Sequence, residues 1–178
     1  MMETQPQSIV LGGGCFWCLD AAYRLIRGVT SVTSGFAGGE TPYPTYEAVV
    51  MGSTGHAEVV KVEFNFQEIV LETILDIFWT LHDPTTLNRQ GHDMGSQYRS
   101  IILYNSEFQL KTVRHSIERA KQVWGDGIVT EVKALTDFYP ADDYHQNFFA
   151  NNPEKSYCQI IINPKLKYLR EKFTSLLK

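Results

Sequence analysis

The sequence predicts an α+β fold: a single domain over 1–178, built as a two-layer sandwich with helices packed on a mixed sheet. Three observations carry this. Helical and strand-like periodicities intermix along the chain without the strict alternation of a doubly wound sheet. The 178 residues suffice for one hydrophobic core, and no linker, repeat or low-complexity stretch divides them. An apolar fraction of 43% beside 20% charged residues is that of a soluble globular chain able to fill such a core.

Each element follows from local pattern. Residues 1–7 read as a loose N-terminal tail. Ile9-Val10-Leu11 reads as a short buried strand running into three glycines, and a helix over 15–27 carries Cys15, Leu19, Ala22 and Ile26 on one stripe. Gly28 ends it and 29–36 forms a second strand. The stretch from Gly35 to Pro44 is rich in breakers and aromatics and reads as a loop. Over 56–66 the residues alternate, with Glu58, Val60, Val62, Phe64 and Phe66 on one face and Lys61, Glu63 and Asn65 on the other. A helix over 68–81 aligns Val70, Ile74, Ile77, Phe78 and Leu81, and Asp83-Pro84 stops it. A polar loop of roughly 15 residues then runs to Tyr98, a length that usually serves function. Residues 100–104 form a strand. Ser106 with Gln109 forms a capping box that opens a helix to about residue 123. A strand over 128–134, a short helix over 142–150 and a short strand over 157–162 follow. Asn163-Pro164 is expected to cap a terminal helix bearing Leu166, Leu169, Phe173 and Leu176.

Composition excludes several classes of function. A net charge of −4 with no basic cluster argues against nucleic acid and anionic membrane as partners. No apolar run approaches the ~20 residues of a membrane span. Met1 to Gln7 has neither a basic nor an apolar segment of the signal-peptide type, so the cytoplasm is the expected compartment. There, three cysteines do not make a disulfide framework; catalysis, metal binding or simple burial are their open roles.

The chemistry concentrates in Gly12-Gly13-Gly14-Cys15-Phe16-Trp17-Cys18. A cysteine that follows three glycines and opens a helix meets unpaired N–H groups at the positive end of the helix dipole, which favours its thiolate. Free cysteines are commonly inert and buried. Three glycines beside one, with their entropy cost and their tolerance of close approach, weigh toward a reactive Cys15. The spacing Cys15-x-x-Cys18 suits a zinc site poorly, since only Cys158 and five scattered histidines could complete it. It suits a thioredoxin-like disulfide exchanger, or a resolving thiol that captures an oxidised Cys15, and spacing alone leaves these two open. Glu58 shares the parity of Val60 and Val62, which leaves open a solvated strand-end glutamate or a carboxyl held among apolar neighbours, the latter keeping its proton toward neutral pH. In the loop 88–100, Asp93 and Tyr98 are the side chains expected to point inward as acceptor and phenolic donor; Tyr46 is a second candidate donor.

Together these segments resemble the peptide methionine sulfoxide reductase A family. The resemblance runs through Gly13-Gly14-Cys15-Phe16-Trp17, Pro44-Thr45-Tyr46-Glu47, Gly52 and Thr54-Gly55-His56-Ala57-Glu58. It continues through Asp83-Pro84-Thr85, Asn88-Arg89-Gln90-Gly91, Asp93 with Gln97-Tyr98-Arg99-Ser100, Phe138-Tyr139-Pro140-Ala141 and Asp143-Tyr144-His145-Gln146. It implies a ferredoxin-like core and reduction of the S epimer of methionine sulfoxide, free or in proteins, as repair after oxidative stress. It further implies Cys15 as nucleophile, Phe16 and Trp17 as the pocket for the S-methyl group, and Glu58 as the acid on the sulfoxide oxygen. Tyr46, Tyr98 and Asp93 complete the polar side. Cys15 would become a sulfenic acid, a second thiol would condense with it, and thioredoxin or another external dithiol would reduce the disulfide. No bound cofactor or metal is expected, and the chain is expected to act as a monomer.

The chain departs from the family at the second thiol. Many members carry glycine where Cys18 stands and glutamate where Asp20 stands. Cys158 matches the place of a C-terminal recycling cysteine that other members set in a glycine-rich tail. Here Gln159-Ile160-Ile161-Ile162 and a capped helix follow it, and a strand swings less freely. Cys18 is therefore the favoured resolving thiol and Cys158 the alternative. His92, in place of a common asparagine, and Val50-Met51, where a cysteine is often seen, are not expected to touch the chemistry.

Overall fold

The computed structural model describes residues 7–178. Strand β1 (Gln7–Gly12), helix α1 (Phe16–Tyr23), β2 (Val29–Ala37), α2 (Tyr46–Val50), β3 (Ala57–Phe64) and α3 (Leu71–Leu81) come first. A two-residue hairpin follows, β4 (Arg89–Gln90) with β5 (Asp93–Met94), and a 3-10 turn over Ser96–Tyr98 leads to β6 (Ile101–Tyr104). The chain closes with α4 (Glu107–Trp124), β7 (Glu131–Ala134), β8 (Phe138–Pro140), α5 (Phe148–Asn151) and α6 (Asn163–Lys172).

The six-stranded sheet has the order β7-β6-β1-β3-β2-β8. Its central four strands, β6-β1-β3-β2, are antiparallel neighbours with α1 joining β1 to β2 and α3 joining β3 to β6, the split β-α-β arrangement of a ferredoxin-like core. Parallel pairing of β6 with β7 makes the sheet mixed, and the expected α+β class holds.

One sheet face buries Ile9, Leu11, Val60, Val62 and Phe64 against Leu19, Ala22 and Tyr23 of α1, Ile74 and Phe78 of α3, and Leu166 and Leu169 of α6. The other face holds a smaller cluster, Val10, Ala37, Ala57, Val59, Ile101 and Leu103, covered by Leu135 and Phe138. β3 is thus buried on both sides over its first half, which alternation alone did not foretell. Helix α1 is tied to the sheet by Arg24, which pairs with buried Asp20 at 2.9 Å and donates to the Val32 carbonyl.

Several boundaries differ from expectation. Gln7, assigned to the tail, already pairs with Phe64; the rest of that tail lies outside the described residues. Helix α1 stops at Tyr23 rather than 27, although Ile26 stays buried through tight turns onto Tyr23. α3 begins at Leu71, leaving Val70 half exposed ahead of it. β3 ends at Phe64, where Asn65 starts a turn by accepting the Gln67 amide, so Phe66 leaves the buried face. The helix expected over 142–150 is broken at Asn147, whose φ is +51°.

The strand expected over 157–162 is a π-helical turn, Cys158–Ile162, continuous with α6. A strand would place Cys158, Ile160 and Ile162 on one face. Instead Cys158 and Ile162 are buried and Ile160 between them is 69% exposed, a spacing of four that belongs to a helix. Asn163 accordingly lies inside the helical run and does not cap it; Pro164, with no N–H to give, sits where the widened turn closes down.

Candidate active site

β1 ends beside the start of β3. Its last register pair with β3 is Leu11 with Val60, so the glycine turn passes directly over Glu58. A Cβ at Gly12 would lie 2.9 Å from the Glu58 carbonyl oxygen and 2.7 Å from Ile101, which excludes any side chain there. Gly14 has φ +88°, a left-handed conformation, and its amide donates to the Tyr98 carbonyl at 3.2 Å. Beneath Gly13 lies His82, buried, accepting from Ser100 through Nε2 and donating to the Phe78 carbonyl through Nδ1. Burial pushes its pKa down to about 4, so it is a neutral packing group under the turn.

Cys15 is the N-cap of α1 and is 9% exposed. Burial raises its pKa well above the ordinary thiol value, the neighbouring Glu58 adds to the rise, and the Trp17 amide opposes both. The expectation of a thiolate favoured by the helix end is therefore corrected: loss of solvation outweighs the N–H contribution, and the resting group is a thiol.

Glu58 is 1% exposed on the helix-facing side of β3, as its parity predicted. Its Oε1 accepts the Phe16 amide at 3.2 Å, which ties the carboxyl to the first turn of the helix that Cys15 caps. Its Oε2 has no hydrogen-bond partner among the described residues. Burial pushes its pKa up to about 8, Asp93 adds to the rise, and the Phe16 amide and the Cys15 thiol lower it. At neutral pH Glu58 holds a proton.

Aromatic groups crowd the same turn. Trp17 stacks on Phe148 at 3.6 Å between centroids and donates through Nε1 to His145 Nδ1 at 3.3 Å. Phe16 is packed by Phe36, Tyr46 and His145 and has no exposed surface, so of the two rings assigned to the substrate only Trp17 is partly exposed. His145 is held there by Gln146, whose side chain pairs with the Ser34 backbone in both directions at 2.8 Å.

Tyr46 opens α2 behind Thr45, which accepts the Ala48 amide and caps that helix. Burial and the nearby Glu58 push the Tyr46 phenol up to about 12; the same causes raise Tyr98. Both phenols keep their protons at neutral pH. On the far side of Cys15 the β4–β5 hairpin and α6 enclose a cleft of about 480 Å³, lined by Cys15, Gln90, Asp93, Tyr157, Ile161 and Lys165. Asp93 Oδ2 accepts the Tyr157 hydroxyl at 2.8 Å. A slightly larger groove of about 510 Å³ between α3, α4 and α6 holds none of the candidate residues.

All three cysteines are free and buried. Cys18 lies one turn along α1 from Cys15, with its sulfur 3.9 Å from the Tyr157 hydroxyl. Cys158 sits in the π-helical turn with no exposed surface. The structure thus brings Cys15, Glu58, Tyr46, Tyr98, Asp93 and Trp17 around one turn, and places Cys18 beside it. Tyr157, His145 and His82 had no assigned role in the sequence, although His145 lies in the Asp143–Gln146 segment that carries the resemblance; Tyr157 is adjacent to Cys158 and gave no periodic signal of its own. Among the described residues no group of three or more His, Cys, Asp or Glu is placed to hold a metal ion, and no helix is long and apolar enough to cross a membrane.

Comparison with known proteins gives a consistent result. A family model described as peptide methionine sulfoxide reductase matches residues 7–177. The peptide methionine sulfoxide reductase MsrA of Leptospira borgpetersenii is 52% identical over 168 residues, covering 94% of this chain and 96% of the relative. The crystal structure of Mxr1 from Saccharomyces cerevisiae in reduced form superposes with a TM-score of 0.83 at 35% identity, over 88% of this chain and 91% of that one. The same yeast protein in complex with Trx2 aligns with a TM-score of 0.59 at 26% identity, over 83% of this chain and 90% of that one.

Proposed function

The chain belongs to the peptide methionine sulfoxide reductase family, and on that premise we propose how its residues divide the work. It is an enzyme that returns methionine sulfoxide to methionine, and the relative's complex with Trx2 supports a thioredoxin as the external reductant. The observation that carries the mechanism is the placement of Glu58: one oxygen fixed on the Phe16 amide, the other without a hydrogen-bond partner among the described residues, at the turn that presents Cys15.

A sulfoxide sulfur is a weak electrophile while its oxygen keeps its negative charge. Glu58 delivers a proton to that oxygen as the Cys15 sulfur attacks, and the Tyr46 and Tyr98 phenols share the charge by hydrogen bonding. General acid help of this kind contributes roughly 10²–10⁴ in rate. The proton that Cys15 gives up in the attack restores Glu58, so the pair returns to its starting protonation. Methionine leaves as the thioether and Cys15 is left as a sulfenic acid. Trp17, held flat by Phe148, receives the S-methyl group, and Phe16 backs the pocket from beneath. With the methyl on the ring, the oxygen on Glu58 and the sulfur toward Cys15, only one epimer satisfies all three, and this reading assigns the S form.

Cys18 then condenses with the sulfenic acid. Its place on the same helix face, against a Cys158 locked in a π-helical turn, supports Cys18 over Cys158. A cytoplasmic setting would return these thiols to the reduced state between turnovers. Incubation with dithiothreitol and racemic methyl p-tolyl sulfoxide tests the whole reading: one enantiomer should remain on chiral chromatography, and equal loss of both would overturn it.

A further inference from the structure

We propose that Tyr157 is a catalytic residue of the thiol condensation, carrying the Cys18 proton to Asp93. The proposal rests on the reading that Cys18 is the resolving thiol.

Cys18 must lose a proton as it attacks, and the sulfenic acid of Cys15 must gain one to release water. Cys18 is 4% exposed, so bulk water cannot take that proton directly. Its sulfur lies 3.9 Å from the Tyr157 hydroxyl, and that hydroxyl donates to Asp93 Oδ2 at 2.8 Å. Because the phenolic proton is committed to Asp93, the Cys18 S–H is left as the donor to the Tyr157 oxygen. The chain Cys18–Tyr157–Asp93 is thus already ordered in one direction.

Its far end opens where the proton is needed, since Asp93 lines the same cleft as Cys15. Tyr157 is held in line by an edge-on contact with Trp17, 5.8 Å between centroids at 80°. Burial raises the Tyr157 phenol and excludes a standing phenolate, so the two transfers occur together. Lys165, in the same cleft, lowers the Cys18 thiol against the rise that burial imposes.

The step balances without an added reagent. The Cys18–H bond and the Cys15 S–O bond break, and a Cys15–Cys18 disulfide forms. The Cys18 proton passes to Tyr157, the Tyr157 proton to Asp93, and Asp93 hands one on to the departing hydroxide, giving water. Cys18 is oxidised, the sulfenic sulfur is reduced to the disulfide level, and Tyr157 and Asp93 end as they began.

The test mixes reduced protein with one equivalent of methionine sulfoxide and quenches at intervals, reading methionine release and the mapped disulfide separately. The relay predicts a Cys15–Cys18 disulfide in the unaltered protein. In Tyr157→Phe its formation relative to methionine release should slow roughly 10²-fold, with dimedone-trappable sulfenic acid accumulating. A Cys15–Cys158 disulfide in the unaltered protein overturns the underlying reading and the relay with it. A Cys15–Cys18 disulfide formed at an unchanged relative rate in Tyr157→Phe overturns the relay alone. Disulfide formation by the unaltered protein in mixtures of light and heavy water provides a check independent of any variant. A curved dependence on deuterium fraction reports more than one proton in flight and supports the relay, and a linear or flat one overturns it.

Discussion

The Phe16 amide donates to Glu58 Oε1 at 3.2 Å across 42 residues of sequence. It joins the first turn of α1 to β3, and among the described residues the second carboxyl oxygen has no hydrogen-bond partner. Glu58→Gln keeps the shape and the contact with the amide but removes the acid. Its single-turnover rate should fall by roughly 10²–10⁴ with little change in substrate affinity, measured by rapid quench.

The same substitution has an opposite effect on stability. The Glu58 pKa rises from an ordinary 4.5 to about 8 on folding, so between those values the folded state holds a proton that the unfolded chain has released. Stability therefore falls as pH rises through this window, and the loss, about 3–5 kcal/mol, is complete above about pH 8. Glu58→Gln removes the loss. Urea unfolding should find the variant more stable than the unaltered protein at pH 9 and nearly equal to it at pH 4.5.

Ionisation of Glu58 also limits the chemistry. Single-turnover reduction should decline above about pH 8 as the proton donor is lost, although that range would favour an ordinary thiolate nucleophile. A rate that keeps climbing from pH 7 to 10 would contradict the assignment.

Cys15 is buried and holds its proton at rest. Iodoacetamide at pH 8 should alkylate it more slowly than a free cysteine, as followed by mass spectrometry, and Cys15→Ser should abolish turnover. Cys18→Ser should retain one stoichiometric reduction and lose thioredoxin-driven cycling, whereas Cys158→Ser should keep cycling.

Gly12 faces backbone on one side and Ile101 on the other. Gly12→Ala must separate β1 from β3 at the point where Glu58 sits, so it should lower stability by about 1–3 kcal/mol in urea titration and depress activity as well.

Local pattern made most of the fold legible. The alternation of Val60, Val62 and Phe64, the stripe Ile74, Ile77 and Phe78, and the Ser106 cap each act over a few residues and survive in the structure. Glu58 was found for the same reason, since parity on a strand is a local property. The strand expected around Cys158 failed because Ile160-Ile161-Ile162 suits either a strand or a buried helical turn. Packing against α1 and α6 chose the latter. The break at Asn147 escaped notice because its cause lies elsewhere, in the grip of Gln146 on the backbone of Ser34.

By itself, then, the sequence determined which groups could react: a cysteine behind three glycines, a carboxyl on a buried strand face, phenols in breaker-rich loops. Only the tertiary structure decided their protonation and partners. Solvation is lost through the packing of distant segments, so the thiol of Cys15 and the acid of Glu58 both keep protons that an exposed chain would surrender. The Tyr157–Asp93 bond likewise exists only because α6 folds back over the hairpin, bringing together residues 64 positions apart.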